Sequence, residues 1–237
     1  MKQDTLKQLL EDQAAKKAVA LATDMESGDQ TLIYRDSAEG PDANNQEILS
    51  ITRQAIQDDR SKIHELGGRK IFVEVFNPPL RMLIVGAVHI AQPLSRMASV
   101  AGYDVTVIDP RASFATDERF PGITLNGDWP DEAMEALDPD RRTAVVTLTH
   151  DPKLDDPGLE VALKSDAFYI GALGSRKTHA ARVERLTANE FTDAEIGRIH
   201  APVGLAIGSI SPAEIAVSIL AQITEVLHRK IETRAAA

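Results

Sequence analysis

The stretch Arg81-Met82-Leu83-Ile84-Val85-Gly86-Ala87-Val88-His89-Ile90-Ala91-Gln92 constrains this fold more than any other. A mostly apolar run enters a glycine, and a helical pattern begins at once. A buried parallel strand that turns sharply into a helix reads this way. Such a turn aims backbone N–H groups and a positive helix end at whatever lies above the strand, which suits an anion. It therefore reads as the floor of a site for a phosphate-bearing ligand.

Strand and helix signals alternate from there onward. A helix over residues 90–101 carries Pro93 in its first turns and closes at Gly102. A second strand covers residues 104–109. A long loop at 110–122 is a candidate lid, and a short helix follows at 131–137. A third strand spans 143–149, a helix 157–164, and a fourth strand 168–173. Gly174-Ser175-Arg176 opens the next helix, with Val183 and Leu186 on its apolar side. Thr192-Asp193-Ala194-Glu195 and Ser211-Pro212-Ala213-Glu214 are capping-box sequences. The last helix, 212 to about 229, turns Ile215, Ile219, Ile223 and Val226 to a core. The expected architecture is α/β: a Rossmann-like, doubly wound parallel sheet with helices on both faces.

The first third reads as a separate small α+β domain. Asp4 caps a first helix whose apolar stripe is Leu6, Leu9, Leu10 and Ala14. Strands at 18–22 and 30–34 form a hairpin, residues 37–45 a surface loop, and Ile48, Ile51, Ala55 and Ile56 one face of a helix. Gly67-Gly68 ends that section, and residues 70–76 form the strongest strand. Asn77-Pro78-Pro79 stiffens the chain and blocks a helix, which sets domains at 1–78 and 79–237.

In a doubly wound sheet, ligands bind beyond the carboxyl ends of the strands. That rule gathers residues far apart in sequence: Gly86, Ala87 and His89 after the first strand, Asp109 and Arg111 after the second. His150 and Asp151 follow the third, and Gly174, Ser175 and Arg176 the fourth. Gly86-Ala87-Val88-His89-Ile90-Ala91 matches the dinucleotide fingerprint G-x-G-x-x-G/A at its first and last positions only. Asp109 stands where an acid would receive a ribose hydroxyl, which keeps an NAD(P)-dependent oxidoreductase as an alternative. Ser175 and Arg176 suit a phosphate or carboxylate. His150-Asp151 reads either as a base with an orienting carboxylate or as a polar strand end. His89, His150, Asp151 and His179 have no short ligand spacing, so no metal site is expected.

Composition narrows the partners. The net charge of −10 disfavours non-specific binding to nucleic acid or an anionic membrane. With no cysteine in 237 residues, the chain has no disulfide, thiolate ligand or thiol nucleophile. The N-terminus lacks the apolar segment of a signal peptide, and no run is long enough to span a bilayer. A cytoplasmic protein is the expectation.

The ordered stretches Phe72-Val73-Glu74-Val75-Phe76-Asn77-Pro78-Pro79, Gly86-Ala87-Val88-His89-Ile90-Ala91, Val107-Ile108-Asp109-Pro110-Arg111, Leu148-Thr149-His150-Asp151-Pro152-Lys153-Leu154-Asp155 and Phe168-Tyr169-Ile170-Gly171-Ala172-Leu173-Gly174-Ser175-Arg176 carry a resemblance. So do His200-Ala201-Pro202-Val203-Gly204-Leu205-Ala206-Ile207-Gly208 and Pro212-Ala213-Glu214-Ile215-Ala216. The chain resembles the xanthine dehydrogenase accessory factor (XdhC/CoxI) family. The resemblance implies a chaperone that binds molybdenum cofactor (molybdopterin) and assists maturation of a molybdenum hydroxylase of the xanthine or carbon monoxide dehydrogenase type. It implies a maturation factor rather than an enzyme. The implied partners are the hydroxylase apoenzyme, a cysteine desulfurase and a full-length family member, with a homodimer as a further assembly. Residues 1–69 depart from the family pattern, lacking its glycine-serine-proline turn and its glycine-rich segment ending in cysteine, and Val88 replaces the middle fingerprint glycine. The chain accordingly reads as a divergent or partial paralogue. A scaffold that binds no small molecule and pairs with a full-length relative is the remaining alternative.

Overall fold

The computed structural model describes residues 2–235, with side chains described through His228. The chain divides into two compact units, residues 1–78 and 79–237.

The first unit contains α1 (Gln3–Ala14), β1 (Val19–Asp24), β2 (Gln30–Ile33), β3 (Ala38–Glu39), α2 (Gln46–Asp58), β4 (Lys62–Leu66) and β5 (Arg69–Phe76). Its strands form an antiparallel sheet in the order β3-β2-β1-β5-β4. Ile33, Ile48, Leu49, Ile71 and Val73 pack as its main cluster. Asn45 caps α2 by accepting the N–H groups of Glu47 and Ile48. Several local expectations need correction here. Lys2, not Asp4, is the N-cap of α1, and Asp4 lies in the first turn, where its charge suits the helix dipole. Leu9 is buried, but Leu6 and Leu10 are exposed. The expected 37–45 loop holds the two-residue β3, paired with β2. Gly67-Gly68 is the turn of a β4–β5 hairpin, with Leu66 opposite Arg69. β4 is not legible in the sequence, because an edge strand whose side chains are largely exposed has little apolar alternation to show.

The second unit contains β6 (Leu80–Val85), α3 (Ala91–Val100), β7 (Tyr103–Ile108), β8 (Thr124–Asn126), α4 (Pro130–Leu137), β9 (Thr143–Thr147), α5 (Pro152–Lys164), β10 (Tyr169–Ala172), α6 (Arg176–Ala188), α7 (Asp193–Ile196), β11 (Ile199–His200) and α8 (Pro212–Ala235). The six strands are parallel, in the order β8-β7-β6-β9-β10-β11. This is the Rossmann arrangement, with its switch point between β6 and β9. Side chains alternate across the sheet. Met82 and Ile84 join Leu94 and Ala98 of α3 and Ile219 and Ile223 of α8 on one face. Leu83 and Val85 join Met134, Leu159, Leu163 and Leu186 on the other. Each large apolar side chain so buried contributes roughly 1.5–3 kcal/mol, which explains the unbroken apolar run of β6.

Two short strands, β8 and β11, were not legible in the sequence. α5 starts at Pro152 rather than 157, with Asp151 as its N-cap and Pro157 inside it. Pro157 removes one backbone donor, and the carbonyl it would have met belongs to Lys153, an exposed residue. The early start makes Asp155 a first-turn residue of α5, and the site depends on this.

Candidate functional site at the carboxyl rim

The turn after β6 is the first component. Gly86 has φ +105°, and its N–H donates to Ile108 O at 2.8 Å. The next N–H, that of Ala87, donates to Asp109 Oδ2 at 2.8 Å. Asp109 is 1% exposed. Its Oδ1 also accepts from Arg111 N (3.0 Å) and Nε (2.9 Å), and its Oδ2 from Arg111 Nη2 (2.7 Å). Burial pushes the Asp109 carboxyl upward, but the bonds from Arg111 and Ala87 outweigh it and hold the group below the ordinary carboxylate range. The anion seated on this turn is thus the protein's own. The reading of the turn as the floor of an external phosphate site is not what the hydrogen bonding favours.

Arg111 carries the network outward. Its guanidinium lies 4.3 Å from the centroid of the Phe114 ring, and Arg119 reaches the same ring at 5.7 Å. The buried Phe120 anchors this loop in the core. Arg111 also feels the carboxylates of Asp151 and Asp155, so the turns after β7 and β9 lie within electrostatic reach of each other.

The turn after β9 is organised by Asp155, 1% exposed. Asp155 Oδ1 accepts from Thr149 N (3.2 Å) and Oγ1 (2.7 Å), and Oδ2 from His150 N (3.0 Å). These bonds hold His150 at φ +63°, a left-handed conformation uncommon for a side-chain-bearing residue. The exposed His150 and Asp151 side chains stand on this turn, and Asp151 Oδ1 accepts from Lys153 N at 3.0 Å. Burial raises the Asp155 carboxyl above its usual range, against the opposing bonds from Thr149 and the charge of Arg182. Arg182 of α6 is likewise 1% exposed. Its Nη2 lies 3.9 Å from Asp155 Oδ2 and donates to Leu173 O at 3.0 Å.

Leu173 leads into the turn after β10. Gly174 has φ +142°, and a Cβ there would lie 3.0 Å from the Thr178 side chain. Ser175 caps α6, its Oγ accepting from Thr178 N at 3.1 Å. Arg176 is exposed.

One linked chain thus joins Gly86, Ala87, Asp109 and Arg111 on one side, and another joins His150 to Gly174 through Asp155 and Arg182. His89 and Arg176 sit on the same rim, and among the described residues they make no hydrogen bond to either network. No group of three His, Asp or Glu among the described residues is arranged to hold a metal ion. Sequence reasoning missed Thr149, Asp155 and Arg182, as well as the Arg111–Phe114–Arg119 cluster, and weighed His179 only as a metal ligand. Asp155 had a faint signal, a carboxylate among the buried positions of α5. Arg182 had none, because Arg176-Lys177-Thr178-His179-Ala180-Ala181-Arg182 reads as a solvated helix face. Among the described residues no helix is long and apolar enough to cross a membrane.

Comparison with known proteins agrees with this architecture. The family model of the XdhC Rossmann domain matches residues 82–223, more than half of the chain. Two similar proteins are from Escherichia coli K12. The molybdenum cofactor insertion chaperone PaoD is 31% identical over 156 residues, covering 65% of this chain and 43% of that protein. The uncharacterized protein YqeB is 30% identical over 164 residues, covering 68% of this chain and 30% of that one. A Bacillus subtilis protein named as a probable xanthine dehydrogenase component is 30% identical over 160 residues, covering 67% and 46%. The chain therefore spans less than half the length of these curated relatives. A crystal structure of a xanthine dehydrogenase from Bacillus halodurans superposes with a TM-score of 0.75 at 25% identity, covering 98% of this chain and 68% of that one. The strand order, the glycine turns and the matched residues together place this chain in the XdhC family, with residues 82–223 as its Rossmann domain.

Proposed function

We propose that this protein binds molybdenum cofactor as cargo along the carboxyl rim of the second unit and passes it to a molybdenum hydroxylase apoenzyme. One observation carries the reading. The β6 turn is already closed by Asp109, whereas the β10 turn opens α6 with Arg176 and Lys177 and no acid in its first turn. A phosphate end of the cargo suits Gly174, Ser175 and Arg176. The pterin and metal end then faces Gly86, Ala87, His89, Asp109, Arg111, His150 and Asp151. The name of the E. coli relative PaoD, a molybdenum cofactor insertion chaperone, and that of the B. subtilis relative support the same role. The protein acts in the cytoplasm, with a cysteine desulfurase or a full-length relative as further partners, and as a homodimer if it self-associates.

The nicotinamide alternative needs Asp109 to accept a ribose hydroxyl. Each Asp109 oxygen already accepts two N–H groups, and a carboxylate oxygen has two lone pairs. Val88 also stands where the dinucleotide fingerprint has the glycine that lets a pyrophosphate approach the backbone.

The test is equilibrium titration with anaerobically prepared cofactor. Saturable binding, weakened about tenfold in Arg176→Ala, is expected. No saturable binding to the wild-type chain overturns the reading.

A further inference from the structure

We infer that the buried Arg182–Asp155 pair tunes the turn between β10 and α6 as a seat for a phosphate monoester, Arg182 supplying positive potential from behind and Asp155 moderating it. This rests on the cargo reading only for the identity of the natural ligand.

α6 is thirteen residues long. Its Arg176 and Lys177 N–H groups have no intrahelical acceptor, because the acceptors would precede the helix. Ser175 satisfies only Thr178. Gly174, at φ +142°, lets the backbone turn without a side chain over the helix end. These features alone describe many helix starts.

Arg182 sets this one apart. Side chains on a helix lean toward its N-terminus, and Arg182 leans far enough for Nη2 to reach Leu173 O, the residue immediately before Gly174. The guanidinium therefore lies under the turn. Two of its three nitrogens, Nε and Nη1, are buried with no hydrogen-bond partner among the described residues. Asp155 answers the charge only at 3.9 Å, its oxygens being engaged by Thr149 and His150. Asp156 is occupied by a bidentate pair with Arg185. His179, one turn nearer the helix start, adds a buried Nδ1 without a hydrogen-bond partner among the described residues, and burial with the neighbouring Arg182 holds its pKa below the usual histidine value.

The turn thus carries a helix dipole, Arg176, Lys177 and an under-compensated buried guanidinium, all of one sign. Positive first-turn charges oppose the dipole of the free protein. An anion on the turn relieves that opposition. Arg182 acts without touching the anion, because its nitrogens are sealed from solvent. It is a positioning residue that works through its field and its hold on Leu173.

Inorganic phosphate is the probe, titrated at constant ionic strength and followed by backbone amide chemical shifts. In the wild-type chain the saturating shifts are expected at Gly174 to Thr178. Arg182→Lys keeps the charge and should retain affinity within about threefold, whereas Arg182→Met should weaken it about tenfold. Asp155→Asn should tighten it severalfold, even though losing the carboxylate also lowers thermal stability. That opposition between affinity and stability distinguishes a field effect from a packing effect. Shifts centred elsewhere, such as Arg111 to Arg119, overturn the proposal, as does weaker phosphate binding in Asp155→Asn. If Arg182→Met does not fold, the Arg182→Lys and Asp155→Asn pair decides. Phosphate binding with these signs but no cofactor uptake keeps the seat and removes the cargo reading. Cofactor uptake with no phosphate response at this turn does the reverse.

Discussion

The γ-methyl of Thr149 fills the space that a side chain on Gly86 would need. The same threonine gives its hydroxyl to Asp155 at 2.7 Å, and Asp155 faces Arg182, which holds the carbonyl before Gly174. The two glycine turns, 88 residues apart in sequence, thereby meet through three side chains.

Gly86→Ala is expected to destabilise the second unit by roughly 2–4 kcal/mol, from the positive φ and the overlap with Thr149. Thr149→Ser removes the methyl while keeping the hydroxyl bond to Asp155. In the double variant it should restore part of that loss, in urea unfolding of wild-type, single and double variants. Strict additivity of the two single changes would show that the contact is not what excludes a side chain.

Asp109→Asn exchanges a carboxylate accepting four N–H bonds for an amide that must turn a donor toward Ala87 or Arg111. A stability loss of about 2 kcal/mol is expected by denaturant titration. Because Asp109 is saturated, oxidised and reduced nicotinamide cofactors should leave the wild-type melting temperature unmoved. A saturable upward shift with either cofactor would return the oxidoreductase reading to favour.

Acid should weaken both units through their partly buried histidines. Burial holds His64 and His179 below the usual 6.5, helped by Lys62 and by Arg182 respectively. With the folded pKa depressed, the unfolded chain binds more protons in the window between that value and 6.5. Stability is therefore complete above 6.5 and falls as the pH drops through that window. Melting temperatures measured across it should flatten for the first unit in His64→Gln and for the second in His179→Gln. Below it, protonation of Asp109 removes a second contribution as the pH falls through its depressed pKa. An unchanged slope in both histidine variants would move the acid sensitivity to other groups.

Arg198 donates to the carbonyls of Leu163, Ser165 and Ala167 at 2.7, 2.9 and 3.0 Å. It closes the C-terminal end of α5 and the approach to β10. Arg198→Ala should cost roughly 2 kcal/mol, and Arg198→Lys should recover only part, since one ammonium cannot span the three acceptors. Equal stabilities of the two variants would show that charge alone matters there.

The sequence by itself determined the doubly wound sheet, because buried parallel strands must be apolar on both faces and their helices must show a 3.6-residue stripe. Leu83 and Val85 face one layer while Met82 and Ile84 face the other, and that pattern is local. It also determined the rim, since topology sends His89, Asp109, His150 and Ser175 to the same edge. It did not reveal β4, β8 or β11, whose short or half-exposed strands exist only through their neighbours' hydrogen bonds. Nor did it reveal how the rim is wired. That Asp109 seats itself on the Ala87 N–H, and that Arg182 lies buried rather than solvated, depends on distances between residues remote in sequence. Only the tertiary structure decides such pairings, because a charged side chain's partner is chosen by where folding leaves it and not by its neighbours along the chain.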